Sequence, residues 1–180
     1  MNFIDLVKKR QSTRSYTPQP VSRDVIDRCI EAARLAPSAC NSQPWTFIVI
    51  DDPSRKNKVG DAAFSGMYSM SSFAQSAPVL IIVITEKSSY AATLGTWLKG
   101  TQFNLIDIGI AGEHLVLQAT EEGLGTCLIG WFNEKAVKKE LKLPSKSHID
   151  IIISMGYPQD AGPREKLRKP IDAIRSYYKN

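Results

Sequence analysis

Arg10, Ser12 and Arg14 stand two residues apart in KKRQSTRSY, at the end of a helix-like start. If that segment is extended, alternate side chains point the same way. Two guanidinium groups and a hydroxyl aimed together suit a phosphate. A solvated basic helix end is the plainer reading, because cations there oppose the helix dipole. Near the other terminus, REKLRKP places Lys166 and Arg168 two apart as well. Two such pairs at opposite ends of one chain make a shared anion site more plausible than either does alone.

A third concentration of polar groups lies in APSACNSQPW, residues 36–45. Pro37 and Pro44 bracket Ser38, Asn41, Ser42 and Gln43, more amides and hydroxyls than a plain connection needs. Gly130, after a short strand-like run TCLIGWF, would let a flat ligand approach the backbone. Cys40 and Cys127 are read as sitting in loops and as small apolar fillers, since no base lies beside them. His114 and His148 are too few and too far apart for a zinc site, so no metal is expected. GLGTCLIG fails as a dinucleotide fingerprint. Leu128 occupies the third glycine position, and a helix precedes the glycines where a strand should. Gly123 and Gly125 are read instead as the cap and turn of the preceding helix.

These groups need a scaffold. The chain has 180 residues, 43% hydrophobic and 23% charged, which suits a single domain over 1–180. A net charge of +5 is compatible with an anionic ligand or with loose nucleic-acid binding. Three cysteines without a CxxC pair point to a reducing, cytoplasmic setting. No secretory signal or membrane span is read.

A short helix is expected over 2–10, with Phe3, Ile4 and Val7 on one side. A clearer one, VSRDVIDRCIEAARLA, is capped by Ser22 and buries Val25, Ile26, Cys29, Ile30 and Ala33. TFIVIDD reads as a strand stopped by Pro53. Residues 54–76 hold one or two helices weakened at Gly66. APVLIIVIT and HIDIIISMGYP read as strands covered on both faces. Residues 86–101 are expected to be a mobile excursion with a helical turn near LGTWLKG. Residues 102–122 form a helix that is apolar almost all round, hence buried on most sides. NEKAVKKELKL is an exposed helix starting at Asn133.

In their order along nearly the whole chain, these motifs resemble the FMN-dependent nitroreductase family. The resemblance rests on KKRQSTRSY, PSACNSQPW, APVLIIV, GIAGEHLVLQATEEGLGTCLIGWF, IISMGYP and KLRKPID. It implies an α+β, three-layer fold with a mixed, largely antiparallel sheet flanked by helices. It also implies an intertwined homodimer with FMN at the subunit interface. Arg10 and Ser12 would face the FMN phosphate and ribityl chain, and Lys166 and Arg168 would complete the phosphate site. Arg14 would lie near the N1–O2 edge of the ring. Pro37, Ser38, Asn41 and Gln43 would come from the other subunit, and Leu128, Ile129 and Gly130 would pass across one flavin face. NAD(P)H would reduce the flavin, and a nitroaromatic, quinone or similar acceptor would reoxidise it in ping-pong order. No side chain would serve as acid, base or nucleophile, and no nucleic acid or membrane would be a partner. The alternatives are a flavin-handling protein without broad reductase activity and a basic nucleic-acid binder.

Overall fold

The apolar runs assemble into one sheet because each can be covered on both faces. The computed structural model describes residues 2–85, 100–160, 162 and 164–178. In it β1 (Trp45–Ile50), β2 (Val79–Thr85), β3 (Gly125–Ile129) and β4 (His148–Gly156) lie in the order β1-β2-β4-β3, every neighbouring pair antiparallel. Among the described residues a parallel contact enters only as an isolated bridge between Ser12 and Thr126.

Strand β2 shows why this is three layers. Val79, Ile81 and Val83 point to one face, and Leu80, Ile82 and Ile84 to the other; all six are buried. The first set packs on α2 (Arg23–Arg34) and α4 (Phe103–Glu121), the second on α3 (Pro53–Ala63) and α5 (Glu134–Glu140). In β4 the pairing shifts, so that Val83 faces Ile151 and Ile84 faces Ile149. The extra residue, Asp150, turns Ile149 onto the same side as Ile152.

Several expectations are refined. Pro53 does end β1, but it also opens α3, where Asp52 accepts a hydrogen bond from the Arg55 N–H at 2.8 Å. Ser22 takes the N-cap position of α2 without a side-chain cap bond, while Ile26, Cys29 and Ala33 are buried as expected. The stretch 54–76 divides at Gly66 (φ +58) into α3 and a 3-10 run, Gly66–Ser76. Gly123 (φ +80) caps α4, with the Leu124 N–H donating to the Ala119 carbonyl at 2.8 Å. Gly125 is not part of that turn. It opens β3, and a Cβ there would sit 2.3 Å from Thr13 Oγ1, so a glycine is needed for the N-terminal segment to lie against the strand. Most of the expected excursion, residues 86–99, lies outside the described residues.

The short helix α1 (Phe3–Lys9) buries nothing: Phe3 and Ile4 are 66% and 58% exposed. Helix α4 buries Ile108, Ala111, Leu115 and Ala119 but leaves Leu105 and Ile106 about half exposed, so its expected cover is incomplete within one chain. No helix among the described residues is long and apolar enough to cross a membrane.

Burial in this core has a pH consequence. Burial, with some repulsion from Glu122, pushes the Cys29 thiol up to about 12. Burial likewise raises the Tyr16 phenol. Groups whose folded pKa is raised contribute stability that is whole below the unfolded value and is lost as pH climbs towards the folded one. Urea midpoints are therefore expected to hold up to about pH 9 and to fall between about pH 9 and 12. The decline should be shallower in Cys29→Ala, once that variant's own neutral-pH loss is subtracted. An unchanged slope would contradict the buried thiol's part in it.

Candidate functional site

The N-terminal segment becomes extended once α1 ends. Arg10 is the C-cap with φ −55 and ψ 126, and its N–H donates to Leu6 at 2.9 Å. The chain then runs along β3, with the Thr13 N–H donating to the Thr126 carbonyl at 2.9 Å. The buried Tyr16 hydroxyl donates to the Thr13 carbonyl at 2.9 Å and lies 2.8 Å from Ser154 Oγ, pinning the segment to β4. Beyond β4 the chain returns alongside it. The Thr17 N–H donates to Tyr157 at 2.9 Å, and the Gln159 N–H to Ser15 at 3.0 Å. Gln11 completes the pairing with both ends of its carboxamide. Nε2 donates to the Gly162 carbonyl at 3.0 Å, and Oε1 accepts from the Arg164 N–H at 3.1 Å.

The two basic sequence pairs thereby meet. Arg10, Ser12, Arg14, Lys166 and Arg168 line one cleft of about 330 Å³, joined by Arg164. Among the described residues five lining cations face a single lining carboxylate, Glu165. Arg10 has a distant partner, Glu113, at 3.9 Å. Arg14 rests over the Phe73 ring, 5.7 Å from its centroid. Among the described residues Arg14, Arg164 and Arg168 make no ion pair. Lys166 is used differently: its ammonium donates to the Val7 and Arg10 carbonyls, closing the end of α1. Burial, then the guanidinium groups of Arg10 and Arg168, pull its pKa below the usual value. The part of this shift that comes from Arg10 and Arg168 reflects a positive field, which favours an anion.

Cys127 lies in β3 rather than in a loop. Its thiol is pushed up by burial, although Arg14 and a hydrogen bond with Ser12 pull the other way. A thiol held protonated is a poor nucleophile, in keeping with its reading as filler.

Pro37, Ser38, Asn41 and Gln43 do not line this cleft. They form a tight loop in which the Gln43 N–H donates to Ser38 Oγ at 2.9 Å and Gln43 Nε2 to Asn41 Oδ1 at 3.2 Å. Cys40, Asn41 and Gln43 all adopt positive φ, of 52, 52 and 44. The loop leans on α4 through Asp107, whose Oδ1 accepts from the Ala39 N–H at 3.0 Å. Glu113, beside Arg10, lies six residues further along the same helix, roughly 9 Å and a third of a turn away. Loop and cleft thus occupy different sides of α4. At the end of β3, Leu128 is 41% exposed and Ile129 is buried. A Cβ on Gly130 would meet no heavy atom within 4 Å, so the space beside it is open.

Sequence reasoning did not single out Gln11, Arg164 or Asp107. The first two become visible only when the termini pair. Asp107 did carry a signal, as an acid in an otherwise apolar helix.

Comparison with known proteins bears on this arrangement. Residues 7–71 and 68–157 match the profile of the nitroreductase family. The NADH dehydrogenase of Thermus thermophilus is 26% identical over 199 residues, covering 92% of this chain and 91% of its own. Iodotyrosine deiodinase 1 of Rattus norvegicus is 28% identical over 195 residues, covering 96% and 68%. The solved FMN-dependent nitroreductase from Clostridium difficile R20291 superposes with a TM-score of 0.75 at 29% identity, over 99% of each chain. The matched span takes in the extended basic segment, the polar loop, all four strands and both flanking helical layers, and on that ground the chain belongs to the nitroreductase family.

Proposed function

We propose that the chain is an FMN-dependent oxidoreductase that works as a homodimer, using NAD(P)H as donor and a nitroaromatic, quinone or related small acceptor. The observation that carries this reading is the convergence of residues 10–14 and 164–168 on one cleft, where cations outnumber carboxylates five to one. That donor set fits a phosphate group. Arg10, Arg164 and Arg168 supply planar donors, Ser12 a hydroxyl, and Lys166 supports the α1 terminus beneath them. The open space at Gly130 fits a flat ring laid across the end of β3. The similar Clostridium difficile protein, described as FMN-dependent, supports the same cofactor.

Held by these residues, FMN would supply the redox chemistry that links NAD(P)H to the acceptor. The chain's own residues hold and tune. Arg14, resting on Phe73 and free of any carboxylate among the described residues, places positive charge beside the ring edge where negative charge develops. The end of β3, with Leu128 exposed and Ile129 buried beneath it, would close one face through its backbone, leaving the other for both substrates in turn.

A second copy of the chain explains what one copy leaves exposed. Phe3 and Ile4 on α1, Leu105 and Ile106 on α4, and Leu167, Ile171 and Ile174 in the C-terminal segment are all exposed. Covering this surface with a partner would also let the 38–43 loop of one subunit reach the cleft of the other.

Steady-state rates of NAD(P)H oxidation against a panel of nitro compounds and quinones test the reading. Turnover with parallel double-reciprocal lines is expected, because both substrates use one face. Arg14→Ala should slow flavin reduction more than it weakens NAD(P)H binding, since the charge it meets appears only as electrons arrive. Intersecting lines would mean a two-sided site, and no oxidation with any acceptor would exclude a reductase.

A further inference from the structure

Asp107 is 3% exposed on α4 and has no cationic partner among the described residues. A buried carboxylate is costly unless its oxygens are filled by donors. Both donors here come from one place, the 38–43 loop. The Ala39 N–H donates to Oδ1 at 3.0 Å, and the Ser42 hydroxyl reaches Oδ2 at 3.4 Å.

That loop has little else to hold it. Among the described residues, every other hydrogen bond made by residues 38–43 stays within residues 38–45. Yet three of its non-glycine residues sit in the left-handed region, a backbone state costing about 1–3 kcal/mol each. Local bonds can set the loop's shape but cannot set where it lies against the body of the protein. Asp107 does that, with two acceptor oxygens for two donors one helical turn apart in the loop.

We propose that Asp107 is a positioning residue for the flavin site: it fixes the 38–43 loop in the placement from which Ser38, Asn41 and Gln43 meet the flavin bound by the partner. The proposal rests on the FMN reading above. Because residues 38–43 carry amides and hydroxyls but no cation to read a phosphate charge, losing the tether weakens FMN and riboflavin alike. Asparagine preserves the contact, its oxygen accepting from Ala39 and its amide donating to Ser42 Oγ. Leucine keeps the volume and removes both acceptors.

The contact can also be broken from the loop side. Ala39→Pro deletes the N–H at the first residue of a 3-10 turn, where proline is tolerated, and Ser38 at φ −144, ψ 154 already has the extended form a following proline requires.

Flavin affinities by fluorescence quenching, with visible circular dichroism of the bound flavin, test this on refoldable holoprotein. Asp107→Leu and Ala39→Pro are expected to weaken FMN and riboflavin by the same factor, roughly tenfold each, as for one buried polar group left without its hydrogen-bond partner. The visible dichroism should change, and Asp107→Asn should restore both readouts. If Asp107→Leu does not fold, Ala39→Pro reads the same contact. Wild-type affinities and dichroism in Asp107→Leu or Ala39→Pro would overturn the proposal, as would a loss confined to FMN. A wild-type chain that binds no flavin would instead overturn the reading beneath it.

Discussion

A chain carrying both Arg10→Ala and Arg168→Ala is expected to bind FMN at least about a hundredfold more weakly, at roughly tenfold per charge-assisted contact, while its affinity for riboflavin barely changes. Riboflavin shares the ring and ribityl chain with FMN and lacks only the phosphate, so it isolates what the cations read. The cleft explains the size of the effect. Among the described residues its surplus of positive charge is left unneutralised: Arg168 has no ion pair, and Arg10 has only Glu113 at 3.9 Å. Replacing Glu113 by Gln should leave FMN in place, which separates loss of the anion site from disturbance of α4. Equal losses for the two ligands would show that these arginines do not face the phosphate.

The second large effect is all-or-none. Homodimers of Arg10→Ala and homodimers of Asn41→Ala with Gln43→Ala are both expected to be inactive at limiting FMN. Mixed, dissociated and allowed to re-associate, they should regain activity, because each heterodimer holds one site with neither defect. The motivation is that Asn41 and Gln43 lie off the cleft that Arg10 lines, on another side of α4. No recovery after subunit exchange is confirmed by mass would place cleft and loop in separate sites, or in one chain.

The scaffold was readable where periodicity and burial agree. APVLIIVIT could only be a strand covered on both faces, and β2 shows six buried residues in alternation. The stripe of Ile26, Cys29 and Ala33 likewise predicted which side of α2 is covered. Gly125 was misread because its reason is not local: Thr13, distant in sequence, occupies the space its Cβ would need. Pro53 was read only as a stop, although a proline after a capping Asp also starts a helix.

At the site, the basic pairs at the two termini were legible as chemistry, and their convergence followed from the family resemblance. What holds them together was not legible. Gln11 gives no pattern of its own, and its partners lie at residues 162 and 164. Lys166 lines the cleft as the resemblance implies, and its ammonium also ties down the carbonyls that end α1, a second contact with no signal in the sequence. Asp107 stands out in an apolar helix, but its role does not, because its donors, Ala39 and Ser42, are remote in sequence.

The central claim is that the cleft holds the phosphate end of a flavin mononucleotide, and the direct test is to count it. The purified chain, saturated with flavin, freed of excess and then denatured, should release one FMN per chain, identified by chromatography and absorbance. Release of FAD, or of no flavin after reconstitution, would contradict the account.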